Sequence, residues 1–432
     1  MSMRELRFLI VPLLCASVAL AVGCPDPDVV DDAGAPTDAG TVDDDGGAID
    51  DADSGTPDAG APTSDAGAPT SDAGVADAGP STPHDAGAAP DAGTVVDDGG
   101  MSVVDAGVTE PAEPVDLADC FATMDPVLVA DYAQYDPTMG THCDGTQHQD
   151  FTNVERVVFV GDSVTAGTPP TLAGDYYRNR VAHGLADRLG LDAPGEVWER
   201  VNVFANGQGA VRNSGDFSNC AQWGARTDDL PGSGNQIEEC FPAEERGKNT
   251  LIVSTIGGND LASIADDAAQ DPPRPDEDLW LKAQRTIDYL EDSMVWLYDE
   301  GNLTGDVKVV LANVYEYTDG TGDLLSCPAA NGVGQFDFGF GFDANPQDPE
   351  LLMDIINHIN AEYMRIATER GIDMVFMREA FCGHGFQDDN EEGRCYLGLN
   401  AERWFDLTCI HPTPDGHGRI AQAILRVIDG GL

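Results

Sequence analysis

The first place in this sequence where chemistry could happen is a strand-like apolar run that ends on an acid and a hydroxyl. Residues 157–167 read VVFVGDSVTAG, four apolar residues followed by Gly161, Asp162 and Ser163. A valine-rich run of this kind suits a strand covered on both faces, as in a parallel sheet. Ligands of open α/β sheets bind outside the carboxyl ends of such strands, so a hydroxyl there is well placed to react. Glycine, aspartate and serine are equally the ordinary residues of a turn, and this stretch alone leaves both readings open.

Three later stretches bear on the choice. Residues 219–230 read NCAQWGARTDDL, 254–261 read STIGGNDL and 406–417 read DLTCIHPTPDGH. Together with GDSV these four blocks, in this order, resemble the signature blocks of the SGNH or GDSL hydrolase superfamily of esterases, lipases and phospholipases, over most of residues 150–430. The resemblance implies that Ser163 is the nucleophile and His411 the base. It also implies that Gly224 and Asn259 join the backbone N–H of Ser163 in an oxyanion hole. The chemistry is sound on its own terms. A serine hydroxyl is a weak nucleophile until an imidazole takes its proton, and histidine has the pKa for that exchange near neutrality. Ester cleavage builds negative charge on the carbonyl oxygen, which a fixed amide such as Asn259 can stabilise, while Gly224 permits close backbone approach.

Each residue also has a plainer reading. Asn259 and Asp260 could cap a following helix. His411-Pro412 could be a turn, His417 suits packing or capping, and His384 reads as a loop residue beside a disulfide. Gly207 in NGQG is a second candidate for the oxyanion glycine, without the continuation that follows Gly224. The superfamily often places the triad acid three residues before the histidine, and here that position holds Thr408. Asp406, five before, is the expected acid, with a backbone carbonyl at the histidine Nδ1 as the alternative. Asp415 is expected to start the last helix.

These residues need a scaffold. Strand candidates fall at 156–160, 198–204, 250–256, 307–314 and 372–377, and helical spacing of apolar residues at 176–189, 277–298, 349–370 and 416–428. Alternation of strand and helix predicts an α/β fold with a mainly parallel sheet and helices on both faces. The resemblance implies a three-layer α/β/α sandwich with a flavodoxin-like sheet. The loop over 319–349, rich in glycine and phenylalanine, is long enough to cover or line a site.

The catalytic blocks occupy a domain expected over residues 116–432, preceded by a signal peptide at 1–23 and a linker at 24–115. Arg4 and Arg7 precede the run FLIVPLLCASVALAV, which is about 15 residues and short for a membrane span. Ala19-Leu20-Ala21 offers ordinary cleavage, whereas Ala21-Val22-Gly23-Cys24 resembles a bacterial lipobox and would lipidate Cys24; the lipoprotein route is preferred because a tether follows. Between residues 25 and 115 there is no Lys or Arg, and Asp-Ala-Gly recurs about nine times. Such a segment cannot bury enough apolar surface to offset its ordering entropy and is expected to be disordered. Its aspartate clusters lack the ligand spacing of a calcium loop.

The net charge of -55, from 22 basic and 77 acidic residues, argues against nucleic acid as a partner. The imbalance extends into the domain, which carries about 54 acids against about 20 bases, as on a surface solvated by carboxylates. Setting Cys15 and Cys24 aside leaves eight cysteines in the domain, an even number that reads as disulfides in an exported chain. Sequence neighbours favour Cys120–Cys143, Cys220–Cys240 and Cys382–Cys395, leaving Cys327 with Cys409. No C-x-x-C pair marks a metal site.

The expectation is therefore an extracytoplasmic serine esterase or lipase, monomeric, working on a lipid, carbohydrate or small ester without metal or organic cofactor. It would be held at the outer membrane or cell surface through Cys24, or otherwise secreted. The rival is a catalytically inactive, surface-displayed lipoprotein that uses the same fold to bind glycan or envelope components.

Overall fold

The computed structural model describes residues 113–231, 235–299, 301–328, 342 and 344–432. The expected signal peptide, Cys24 and all of the expected linker except residues 113–115 lie outside the described residues. In chain order the elements are α1 (Leu117–Cys120), β1 (Arg156–Gly161), α2 (Ser163–Ala166), α3 (Tyr177–Leu189), β2 (Asn213–Ser214), β3 (Phe217–Asn219), α4 (Gln236–Cys240), β4 (Thr250–Thr255), α5 (Gly258–Ala269), α6 (Asp276–Leu297), β5 (Val307–Ala312), α7 (Pro349–Arg370), β6 (Asp373–Val375), α8 (Met377–Phe381) and α9 (Pro414–Gly430).

The strands form one sheet in the order β2-β3-β1-β4-β5-β6, parallel throughout except for the antiparallel edge pair β2–β3. Leaving out that edge strand, the parallel order is second, first, third, fourth, fifth, the flavodoxin-like arrangement. β1 and β4 are buried along their whole length, as near-continuous apolar strands under two helical layers must be. Helices α3 and α9 pack together, and α5, α6 and α7 pack with one another. The expected three-layer α/β/α fold is borne out. The chain order reverses between β1 and β4, and the carboxyl ends of these two strands border the crevice where such folds bind ligands.

The four long helical patterns form α3, α6, α7 and α9, with ends within two residues of expectation. One strand expectation is overturned. Residues 198–204 form no strand; the neighbour of β1 is β3, Phe217–Asn219. Trp198 is buried by ring contact with Phe159 and Phe217 rather than by strand pairing, and Phe204 is 95% exposed. The apolar residues of 198–204 therefore satisfy no common sheet face, and the short, mostly polar β3 takes the place beside β1.

All four expected disulfides are present: Cys120–Cys143, Cys220–Cys240, Cys327–Cys409 and Cys382–Cys395. Two of them bear on function. Cys220–Cys240 ties the end of β3 to α4, and Cys327–Cys409 anchors the loop that carries His411.

Candidate active site

Ser163 is set by the end of β1. Gly161 has φ 138°, and a Cβ there would lie 2.2 Å from the Thr255 carbonyl oxygen of β4, so only glycine lets the chain turn this close to its neighbour. The buried Gln236 side chain clamps the same residue, accepting from Gly161 N–H at 2.7 Å and donating to its carbonyl at 2.9 Å. Asp162 then caps α2, its Oδ1 accepting from Val164 N–H at 2.9 Å, which leaves Ser163 as the first helical residue. Among the described residues the Ser163 N–H donates to no other group, as expected for a first-turn amide. Burial pushes the Asp162 carboxyl up to about 7, and the charge of Asp260 adds to this while backbone N–H bonds oppose it.

His411 arrives from the opposite end of the chain. Its Nε2 lies 2.9 Å from Ser163 Oγ. The loop is closed at its base by the Phe405–Pro412 bridge and the Asp406 N–H to His411 carbonyl bond of 2.9 Å. The Tyr315 hydroxyl, on a ring stacked against Phe381, donates to the Ile410 carbonyl at 2.6 Å. His411 is partly buried, and burial pushes its pKa down to about 4.

The third member of the set differs from expectation. Among the described residues Asp406 makes no hydrogen bond to the His411 ring, and no backbone carbonyl takes its Nδ1 proton. Thr408 stands between them, its Oγ1 2.9 Å from His411 Nδ1 and 2.5 Å from Asp406 Oδ1. Ionised Asp406 can only accept, so the Thr408 hydroxyl donates to it and accepts from His411 Nδ1–H. That direction places the imidazole proton on Nδ1 and leaves Nε2 free to take a proton from Ser163. The Thr408 N–H also donates to Asp406 Oδ1, at 2.8 Å, while Asp406 Oδ2 is buried with no hydrogen-bond partner among the described residues. Burial raises the Asp406 pKa to about 6, against the two Thr408 bonds.

Asn259 lies in the first turn of α5, whose N-cap is Gly257, so it is not the capping residue. Its Nδ2 donates to the Ala225 carbonyl at 2.7 Å, which fixes the amide beside Ser163 and leaves its second N–H for another acceptor. Asp260 accepts from the Thr227 N–H and hydroxyl at 3.1 and 3.0 Å, joining α5 to the ARTDDL block. Gly224 has φ 74° with open space where a Cβ would stand; its backbone conformation, not crowding, calls for glycine. Its N–H makes no bond among the described residues. Gly207 serves the scaffold instead, packing on the Trp223 ring, while Asn206 and Trp223 exchange hydrogen bonds of 2.9 Å. The Trp223 Nε1–H donates in turn to the Gly167 carbonyl, 2.9 Å away, so the glycine loop is tied to the loop after the serine.

The remaining candidates fall outside the reacting set. His417 is fully buried between Tyr176 and Tyr177, and burial pushes its pKa down to about 3. The His384 ring stacks on Trp404 with centroids 3.4 Å apart. Asp415 sits in the first turn of α9, capped by Thr413. Sequence reasoning missed Thr408, Trp223 and Gln236. Thr408 was readable from the spacing Asp406-x-Thr408, since a threonine two residues after an aspartate readily turns its N–H and hydroxyl back onto that carboxylate.

A cavity of about 90 Å³, open to solvent, begins at Ser163 and Asn259 and runs between α5 and α7; its lining is mostly apolar. Leu324 and Phe342, from described parts of the long 319–349 loop, belong to the lining. No group of three or more histidine, cysteine or acidic residues is arranged to hold a metal among the described residues.

A model described as the GDSL-like Lipase/Acylhydrolase family matches residues 159–419, more than half of the chain. No curated protein matches. Similar solved structures include BT4096, described as a gut microbial diltiazem-metabolizing enzyme, at 14% identity and TM-score 0.36, covering 66% of this chain and 49% of that one. This chain thus spans about half the length of that protein. Another is Est24, a carbohydrate acetylesterase from Sinorhizobium meliloti, at 13% identity and TM-score 0.34, covering 64% of this chain and 99% of that one.

Proposed function

Because the chain belongs to the GDSL-like lipase/acylhydrolase family, whose members act on esters, we propose that it is a serine hydrolase of carboxylic esters working through a Ser163 acyl-enzyme. The observation that carries this reading is the 2.9 Å contact between Ser163 Oγ and His411 Nε2 at the carboxyl end of β1. His411 Nε2 takes the hydroxyl proton as Ser163 Oγ attacks the ester carbon. The oxygen of the tetrahedral intermediate is held by the N–H groups of Ser163 and Gly224 and by Asn259 Nδ2. The imidazolium returns its proton to the leaving alcohol, and water then enters by the same route to release the acid.

Thr408 and Asp406 orient the base. As His411 gains its proton, the Nδ1–H to Thr408 bond and the Thr408 hydroxyl to Asp406 bond both strengthen, and the carboxylate acts on the imidazolium through one intervening hydroxyl. Hydrolysis of p-nitrophenyl acetate by the purified chain, compared with Ser163→Ala, tests the reading. Turnover that survives the substitution sinks the nucleophile assignment. Absence of turnover in both proteins favours the rival binding lipoprotein.

We propose further that the enzyme is exported and lipid-anchored at Cys24, on the strength of the apolar N-terminal run and the Ala21-Val22-Gly23-Cys24 sequence. Cells fed a labelled fatty acid should label the native protein and not Cys24→Ala. A mature chain beginning at Val22 would instead mean ordinary cleavage.

A further inference from the structure

The cavity that opens at Ser163 has a direction and a chemistry of its own. It runs along α5 past Leu261, Ala262 and Ala265, with Leu352, Met353 and Ile356 of α7 among its other walls. On α5 the two positions after Leu261 that line it are alanines, and the small side chains there leave room beneath the bulkier residues of α7. Hydroxyl or amide groups of a ligand pushed between these six residues would find no partner in their side chains, and burying them unpaired is costly.

We infer, on the basis of the esterase reading above, that this slot receives the acyl group of the substrate and that the acyl group is an unbranched aliphatic chain of medium length. Orientation follows from the site. His411 must protonate the leaving oxygen, and it contacts Ser163 without belonging to the lining of the cavity, as a residue that keeps part of its surface in solvent. The alcohol therefore departs outward, and the acyl chain, on the other side of the ester carbon, points inward along α5. From Asn259 to Ala265 the slot advances about 9 Å at the helical rise, the extended length of a chain of about eight carbons. A two-carbon acyl group would leave most of it empty.

The inference is tested with p-nitrophenyl esters from acetate to laurate, which keep the leaving group constant. Each methylene moved from water into an apolar slot favours the bound state by about fourfold. Even with partial burial, kcat/KM should rise at least about tenfold from acetate to a maximum at hexanoate or octanoate, then fall towards laurate. Ala265→Leu, which fills the inner end, should lower the octanoate-to-acetate ratio of kcat/KM by more than about tenfold. Met353→Ala, which enlarges the slot, should move the maximum to longer chains and gives a second reading should Ala265→Leu fold poorly. A wild-type profile that falls steadily from acetate, or ratios that neither substitution changes, would overturn the inference while leaving the esterase intact. Failure on every ester, with no modification of Ser163 by a fluorophosphonate, would overturn both.

Discussion

Replacing Thr408 by valine keeps the size and branching of the side chain and removes only the hydroxyl between His411 and Asp406. In the structure that hydroxyl makes two bonds, 2.9 Å to His411 Nδ1 and 2.5 Å to Asp406 Oδ1. Asp406 would keep the Thr408 N–H at 2.8 Å, so the loop retains part of its local support. The imidazole would lose the Nδ1 partner it has among the described residues at the moment it becomes charged. A hydrogen bond to a charged group is worth about 1.5–3 kcal/mol, which corresponds to a fall of about 10- to 150-fold in kcat/KM. Steady-state hydrolysis of p-nitrophenyl butyrate at neutral pH, with thermal unfolding as a control for the fold, measures the loss. Thr408→Ser, which restores the hydroxyl, should recover activity to within about threefold. Asp406→Asn leaves an acceptor for Thr408 and removes the charge, so it too should cost about 10- to 100-fold, short of the roughly 10⁴ lost when a carboxylate in direct contact with the base is neutralised. A Thr408→Val enzyme within about twofold of wild type, alongside a 10⁴ loss in Asp406→Asn, would refute the relay and restore Asp406 as the direct partner.

Two other outcomes are expected. Because burial lowers the His411 pKa to about 4, the neutral base persists as pH falls; kcat/KM should plateau above about pH 7, drop by about 10- to 100-fold to a lower level as Asp406 protonates near 6, and fall again towards pH 4, and a pH–rate profile that falls to zero through one limb, with no second inflection at lower pH, would contradict this. Asn259→Ala removes one oxyanion donor and leaves two backbone N–H groups, so kcat should fall by about 10²–10³ with KM little changed; a loss under tenfold in single-turnover measurements would remove Asn259 from the hole.

Much of the scaffold was legible because its signals are local and strong. The runs that became β1, β4 and β5 are apolar at consecutive positions, and the long helices carry apolar residues three and four apart over 13 to 22 residues. β3 was illegible for the opposite reason. Phe217-Ser218-Asn219 has one apolar residue, and its burial comes from tertiary neighbours, Trp198 above all, that no window of sequence brings together. At the site, Ser163, Asn259 and His411 could be named because they follow recognisable blocks, and the structure brings their side chains into one crevice. Asp406 lies near His411, but its distance of five residues along the chain hid that Thr408 stands between them. Thr408 had been read only as a missing carboxylate, since whether a hydroxyl relays or interrupts depends on the loop, and that loop is set by the Cys327–Cys409 disulfide and the Tyr315 bond to Ile410.

The central claim is that Ser163 is a nucleophile activated by His411, and covalent capture tests it most directly. The purified protein is treated with a fluorophosphonate at neutral pH, digested and read by mass spectrometry, beside Ser163→Ala and His411→Ala. The account predicts one stoichiometric phosphonyl group on the peptide containing Ser163, none on Ser163→Ala, and labelling slowed by several orders of magnitude in His411→Ala. Labelling at another residue, or labelling of Ser163 at the same rate without His411, would contradict it.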